Sequence, residues 1–230
     1  MMRKLAIIGL SVSCLLADNE PKQRVQVTNT QRVDFPSGGV LRMENSIGEL
    51  MVEGWDRPNV EITTIKSTKA EFDSREREKA AQELNQVTIA AERRGDDLVV
   101  KTGFPRHGMS VPPLRGSTDF DLEYYIRVPK AASIVVDHDA GSVRIDNVTG
   151  DIRVTDRQGE ITLRLPNEGQ YLIDARSKFG SVISDLAGHD KRKAWLVGHQ
   201  FTNEASAGAR KLYLRIGYGD IIIWKTVRLR

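Results

Sequence analysis

The sequence is poor in cysteine, in long hydrophobic runs and in catalytic motifs. Cys14 is the only cysteine, which excludes an intramolecular disulfide and a cysteine-based zinc site. No apolar stretch reaches the ~20 residues that a membrane-spanning helix needs. The chain also lacks HExxH, GxSxG and Walker-type motifs. We therefore expect no enzymatic activity, no cofactor, no metal site and no transmembrane span.

The sequence also lacks a strong net charge. Its formal charge is +3, and without residues 1–17 it has 32 basic against 31 acidic side chains. A charge so close to neutral produces no field that would attract nucleic acid or anionic lipid headgroups. We therefore expect no nucleic-acid partner.

The N-terminus has the pattern of a secretion signal. Arg3 and Lys4 precede a short apolar run, and a polar segment begins at Asp18. This pattern predicts a signal peptide at residues 1–17 and an exported protein, located in the periplasm or on the cell surface. A cut after Ser13 also satisfies the small-residue rule, so the cleavage site stays open.

Cys14 offers a further interpretation of this segment. Ser13 precedes it, as in the lipidated cysteine of bacterial lipoproteins, but Ser11 stands where such sequences usually have Leu. Lipidation at Cys14 would anchor the protein to a membrane. The alternative is that Cys14 is removed with the signal peptide.

Residues 23–130 show short alternations of apolar and polar residues, which are typical of half-buried strands. We predict a β-meander in this region. Residues 74–86 contain strong helix formers and no Gly or Pro, so we predict one helix there, with Ala80 and Leu84 packed on a sheet. Pro and Gly recur over residues 103–118, which predicts a long exposed loop.

Glycines recur about every ten residues in the region 131–230. Many are followed two positions later by an apolar residue, as in Gly141-Ser-Val143 and Gly159-Glu-Ile161. A turn with a permissive backbone, followed by a strand with alternate side chains inward, explains this phrase. The glycines are at positions 141, 150, 159, 169, 180, 188, 198, 208 and 219.

The spacing of these glycines favours an all-β, solenoid fold. Every second glycine is separated by 18 or 21 residues, which suits a two-strand rung repeated along an axis. We therefore predict a glycine-punctuated β-solenoid over 131–230, continuous with the first half. An antiparallel β-sandwich is the alternative, because its turns have a similar spacing. A solenoid predicts one inner ladder containing Val143, Ile161, Val182, Phe201 and Ile221.

Several phrases resemble a known group of bacterial proteins. They are the segment 47–62 (IGELMVEGWDRPNVEI), the segment 124–129 (YYIRVP) and the glycine-led phrases from Gly141 to Val154. They extend over most of the mature chain and resemble the putative-adhesin families DUF4097 and DUF2807. The resemblance implies a right-handed β-solenoid, also described as β-helix-like, an extracytoplasmic location and no catalytic residues. The irregular region 188–208 departs from the repeat.

The nearest approach to a chemical site is the sequence Asp137-His138-Asp139. Stacked rungs could gather the carboxylates of Asp137 and Asp139 into a calcium site or an acid/base pair. The alternative is that Asp is present because its side chain hydrogen-bonds to the backbone in turns, without forming a site. The four histidines are scattered and are expected to be exposed turn residues: His107, His138, His189 and His199.

Aromatic residues make up 6% of the chain and are not enriched. Exposed along one face, they could form a strip for stacking on sugars, but core packing is the competing interpretation. The candidates are Trp55, Trp195, Trp224, Tyr124, Tyr125, Tyr171, Tyr213 and Tyr218.

Together these features predict a non-enzymatic protein of the cell envelope that acts through its surface as an adhesin-like, scaffolding or sensing module. Its partner would be an envelope protein or a glycan. The alternative is a polysaccharide-binding or polysaccharide-cleaving β-helix protein. The C-terminal end, through Trp224, offers a surface for self-association.

Overall fold

The computed structural model describes residues 21–36, 38–105, 119–167, 169–193 and 198–226. In these ranges the chain is all-β apart from one helix, and its strands join in one large mixed sheet. The strands are β1 (Gln23–Asp34), β2 (Val40–Trp55), β3 (Asn59–Phe72), β4 (Thr88–Arg94), β5 (Asp97–Gly103), β6 (Phe120–Pro129), β7 (Ser133–Asp146), β8 (Ile152–Leu165), β9 (Tyr171–Phe179), β10 (Val182–Ser184), β11 (His189–Lys193), β12 (Gly198–Thr202) and β13 (Arg210–Lys225).

Three expectations concern residues outside these ranges. The predicted signal peptide 1–17, with Cys14, lies outside the described residues, and so do residues 106–118 of the predicted loop. They stay predictions.

The predicted helix is present as α1 (Arg77–Asn85), within the range 74–86. Ala80 and Leu84 are buried, and the helix lies against β1 and β3. The Asp73 carboxylate accepts hydrogen bonds from the backbone N–H groups of Arg75 and Glu76, at 3.0 and 3.1 Å, in the turn that leads into the helix. The apolar stripe therefore docks the helix on the sheet as predicted.

Four long strands, β2, β7, β8 and β13, run parallel and in register at the centre of the sheet. On β8, the even-numbered residues are buried before Gly159 and the odd-numbered residues after it, and β7 changes in the same way around Gly141. Successive side chains of a strand point to opposite faces, so a change of parity means that the strand bends at the glycine and keeps its buried residues on the side of the core. We call the part before the glycine the first limb and the part after it the second limb.

The glycines of the four strands are cross-strand neighbours and form a glycine ladder. Its members are Gly48, Gly141, Gly159 and Gly219. Gly159 has φ +148°, and a Cβ atom there would overlap the carbonyl oxygen of Gly141. The turn therefore requires glycine both for its backbone conformation and for close approach of the strands.

The strand order is β1-β3-β6-β2-β7-β8-β13-β9-β12-β11, with β5 also paired to β2 and β10 to β13. The predicted meander is wrong, because β2 pairs in parallel with β5, β6 and β7. The last strand, β13, lies between β8 and β9, so strands from the end of the chain are not stacked in sequence order.

This order corrects the predicted inner ladder. Val143, Ile161, Ile221 and Val182 are successive cross-strand neighbours in that order, and all are buried. Phe201 is buried elsewhere, opposite Ala175, because β12 turns back antiparallel to β9. The glycine spacing therefore predicted four residues of the ladder correctly. It did not predict their order, and Phe201 does not belong to the ladder.

Candidate functional site

The outer face of the second limb carries an ordered array of side chains. Strands β6, β2, β7 and β8 lie side by side there in register, so alternate residues form rows across the strands. The first row, nearest the glycine ladder, contains Glu123, Glu49, Ser142 and Glu160. The second row contains Tyr125, Met51, Arg144 and Thr162. The third row contains Arg127, Glu53, Asp146 and Arg164.

Two adjacent depressions in this face share Tyr125 and Met51 in their walls. Their volumes are about 260 and 230 Å³. Tyr125 is 40% exposed, whereas Tyr124 is buried and its hydroxyl lies 2.6 Å from that of Thr102. The alternation of β6 thus sends one tyrosine into the core and presents the next one at the surface. We call the two depressions together the Tyr125 groove.

The hydroxyl of Tyr125 donates a hydrogen bond to a carboxylate oxygen of Glu123 at 2.8 Å. This hydrogen bond raises the pKa of Tyr125, and the negative charges of Glu123 and Glu49 act in the same direction. The phenol therefore keeps its proton at neutral pH. Its ring is held beside the carboxylates of the first row.

The third row is electrically balanced by ion pairs. Arg127 lies 3.5 Å from Glu53 and 3.4 Å from Glu61 of β3, and Glu61 also pairs with Arg32 at 2.6 Å. The guanidinium of Arg127 additionally lies 5.8 Å from the ring centroid of Trp55. The cations at this border of the groove are therefore already engaged.

The first row is different. Within the described residues, none of the ion pairs involves Glu49, Glu123 or Glu160. Glu49 and Glu123 are direct cross-strand partners, an arrangement of like charges that destabilises a sheet. Glu160 accepts a hydrogen bond from Thr162 at 2.8 Å. The groove thus has an acidic border in its first row, an exposed aromatic ring and the guanidinium groups of Arg144 and Arg127 in its lining.

The groove lining offers several kinds of polar group to a ligand. The described lining contains carboxylates, hydroxyls, a thioether and guanidinium groups, but no histidine or cysteine. An exposed aromatic face next to hydrogen-bonding groups can contact a sugar ring or a peptide side chain. A sequence signal for the groove exists in the alternation Leu122-x-Tyr124-x-Ile126, which marks Tyr125 as outward-facing.

The predicted carboxylate pair lies on another part of the surface, in the first limb and turn of β7. Asp137 is exposed, opposite Thr155, and Asp139 forms an ion pair with Arg157. The residue between them, His138, is buried. The structure therefore does not join the two carboxylates to the Tyr125 groove.

His138 is only 2% exposed, so the expectation of an exposed turn residue is wrong for it. Its Nδ1 accepts a hydrogen bond from the hydroxyl of Ser46 at 2.7 Å, and its Nε2 donates to the carbonyl oxygen of Gly48 at 3.2 Å. Burial lowers the pKa of His138 to about 4. Ser46 is fully buried, so this serine–histidine pair supports the turn and is closed to a substrate.

His199 is also buried, contrary to expectation. Its Nδ1 accepts the backbone N–H of Val182 at 2.8 Å, and its Nε2 bonds to the carboxylate of Asp190. Both ring nitrogens are occupied, so His199 joins β12 to β10 and has no free base to offer. His189 is exposed as predicted, while His107 lies outside the described residues.

The described residues provide neither a metal cluster nor a membrane-spanning helix. No group of three or more His, Cys, Asp or Glu side chains there is arranged to hold a metal ion. No helix in the described ranges is long and apolar enough to cross a membrane.

The aromatic candidates do not form one strip. Tyr124 and Tyr171 are buried, whereas Tyr125, Tyr218 and Trp224 are exposed. Tyr125 lies on β6 and the other two lie on β13. Trp195 is outside the described residues.

Comparison with solved structures shows a similar fold. The "putative cell adhesion protein" from Clostridium sporogenes superposes with a TM-score of 0.52 at 15% identity, covering 87% of this chain and all of that one. The "putative adhesin" from Bacteroides fragilis has a TM-score of 0.34 at 9% identity, covering 87% of this chain and 97% of that one. At these identities the first likeness extends to the fold alone.

No family model matches the chain, and no curated protein matches it. The resemblance to the families DUF4097 and DUF2807 therefore stays a prediction from the sequence.

Proposed function

We propose that the chain is a non-enzymatic protein of the cell envelope that acts as an adhesin-like, scaffolding or sensing module, and that it binds its partner through the Tyr125 groove. One observation carries this proposal: Glu49 and Glu123 face each other, and neither forms an ion pair among the described residues, beside the exposed ring of Tyr125. Two like charges side by side lower the stability of the sheet. Binding of a partner to these carboxylates would explain why both are present.

The partner class that this surface favours is a glycan. A sugar ring can lie on the face of Tyr125 while its hydroxyls donate to the carboxylates of the first row. The predicted export signal places the protein where envelope glycans are available. The similar fold of a structure named for cell adhesion agrees with this proposal without deciding it.

Polysaccharide cleavage is the alternative, and the carboxylate pair predicted for it lies away from the proposed binding surface. Asp139 is engaged with Arg157, and Asp137 and Asp139 lie outside the Tyr125 groove. Cleavage would require an acid and a base placed on either side of one glycosidic bond. A glycan-cleaving activity that disappears in the Asp137→Ala, Asp139→Ala variant would revive this alternative.

We also infer that the parallel strands form a short β-solenoid. The in-register pairing of β7 with β8, and the stacking of their glycines, support this interpretation over a sandwich. An experimental structure with β7 and β8 antiparallel would contradict it.

The function is tested in two steps. Cell fractionation followed by intact-mass measurement determines whether the protein is exported, where it is cleaved and whether Cys14 carries lipid. Recovery of the full-length chain in the cytoplasm would overturn the envelope assignment.

Binding is tested on a glycan array and on purified envelope fragments. We expect Tyr125→Ala and Glu49→Gln to lose binding. The matched control is Tyr213→Ala, which removes a half-buried tyrosine of the first limb of β13, outside the groove, and should bind normally. Equal binding by all four proteins would exclude the Tyr125 groove as the site.

A further inference from the structure

Most of the large exposed apolar side chains of the described residues lie on the last strands of the sheet. Tyr218 is 56% exposed, Ile183 50%, Trp224 42% and Phe179 36%. The rings of Phe179 and Tyr218 stack with centroids 4.7 Å apart and planes 9° from parallel. With their alternate neighbours they form what we call the distal strip: Tyr218, Asp220, Ile222 and Trp224 on β13, and Phe179, Ser181, Ile183 and Asp185 on and beside β9 and β10.

The neighbouring strand shows that the fold does not require apolar residues at these positions. In the register of β13 with β8, Ile222 lies beside Thr162 and Trp224 beside Arg164. Likewise Tyr218 lies beside Gln158. The same positions are thus polar on β8 and apolar on β13, although both strands have the same turn and the same inward ladder. The apolar character of the distal strip therefore points to contact with another molecule.

The distal strip lies where the second limb ends. Within the described residues, β10 pairs with β13 alone and spans only Val182–Ser184. Strands β12 and β11 extend the first limb beyond β9 but do not pair with β10. The final strand of the second limb is therefore short, and its outward side chain, Ile183, is half exposed.

Charged side chains of both signs lie in and beside the distal strip. Asp220 and Asp185 are fixed by accepting the backbone N–H groups of Ser181 and Lys225, at 2.6 and 2.9 Å. Lys178 lies with its ammonium 5.5 Å from the ring of Phe179. A two-fold contact places the same surface on both sides, so it needs both signs of charge in one patch. Asp220 and Asp185, with Lys178 and with Arg164 beside Trp224, meet this requirement.

We propose that the distal strip is the interface of a symmetric dimer, with a second copy of this chain as its occupant. Ile183, Ile222 and Trp224 form the apolar centre, and the stacked pair of Phe179 and Tyr218 forms one border. The aspartates of each copy face the basic side chains of the other. This interface adjoins the border of the Tyr125 groove, because Asp220 and Ile222 are cross-strand partners of Glu160 and Thr162 in the groove lining, whereas Tyr125 lies on β6 at the opposite border.

The first test is sedimentation velocity of the full chain from micromolar to hundreds of micromolar. We expect a reversible change to twice the protomer mass. Ile183→Asp and Tyr218→Ser should each raise the dissociation constant by about tenfold or more, since each disrupts the centre or border of the contact. Tyr125→Ser, a matched loss of an exposed tyrosine, should leave association unchanged. Circular dichroism and thermal melting check that each variant is folded.

A wild-type chain that stays monomeric at every concentration would overturn the proposal, as would equal weakening by Tyr125→Ser. A second measurement locates the contact. In a Cys14→Ser background, Ile183→Cys should form a cross-linked dimer with a short bis-maleimide, while Tyr125→Cys should not. Cross-linking at Tyr125→Cys alone would assign association to the other part of the sheet. Loss of dimers with retained glycan binding would separate this proposal from the proposed function.

Discussion

His138 on β7 and Asp156 on β8 are cross-strand partners at the turn between the two limbs, and each is only 2% exposed. Each is held neutral by burial at a pH where it would ordinarily be charged. Burial lowers the pKa of His138 to about 4 and raises the pKa of Asp156 to about 7. One oxygen of Asp156 has no hydrogen-bond partner among the described residues, whereas His138 is fully bonded.

These two shifts act on stability in opposite directions. Between pH 3.8 and about 7 the folded state keeps the Asp156 proton that the unfolded state has lost, so this group lowers stability as the pH rises. Between about 4 and 6.5 the unfolded state binds a proton at His138 that the folded state does not, so that group raises stability with pH. Over their common range the two contributions largely cancel.

Asp156→Asn should therefore uncover the contribution of His138. We expect the variant to gain stability from about pH 4 to 6.5 and then to level off, and to exceed the wild type at pH 8 by on the order of 2 kcal/mol. Urea unfolding at a series of pH values measures this. Unchanged pH dependence in the variant would show that Asp156 is ionised in the folded protein.

His138→Gln should produce the opposite profile. With the histidine removed, stability should fall steadily from about pH 4 to 7 because Asp156 acts alone. Glutamine retains a polar side chain that can bond to Ser46 or Gly48, which limits the loss of structure. The exposed His189, changed to Gln, is the control and should leave the profile of the wild type unaltered.

The fold could be predicted from sequence as far as local pattern extends. Alternation indicated strands, and the glycine phrases indicated the ladder of Val143, Ile161, Val182 and Ile221. The order of that ladder could not be predicted, because Gly180-Ser-Val182 and Gly219-Asp-Ile221 are equivalent phrases. Only the packing of the whole chain selects which of them lies beside Gly159.

The Tyr125 groove depends on pairing between distant strands. The sequence shows Glu49 and Glu123 separately, and the parallel pairing of β2 with β6 is what makes them neighbours. His138 was misjudged for a different reason. It continues the buried alternation of Ile134 and Val136, and the nearby turn glycine, Gly141, led to its interpretation as an exposed turn residue.

Replacing Glu49 by Gln should stabilise the protein while weakening any binding at the Tyr125 groove. The change relieves repulsion with Glu123, for an expected gain of about 0.5 kcal/mol that declines with added salt. The matched control is Glu53→Gln on the same strand, which removes a partner of Arg127 and should give no gain. A loss of stability in Glu49→Gln would mean that Glu49 is paired in solution.

The glycine ladder gives the sharpest stability prediction. Gly159→Ala places a Cβ atom against the carbonyl oxygen of Gly141 at φ +148°, so the strands must separate. We expect a loss of about 3 kcal/mol or more, since strain at this φ adds to the overlap. Gly95→Ala is the control, because it also has a positive φ, +64°, but nothing lies within 4 Å of the added atom. It should lose only about 1 kcal/mol. Urea unfolding measures both losses. Equal losses in the two variants would show that glycine is required in the ladder for its backbone conformation alone, and that close approach of the strands is not a reason.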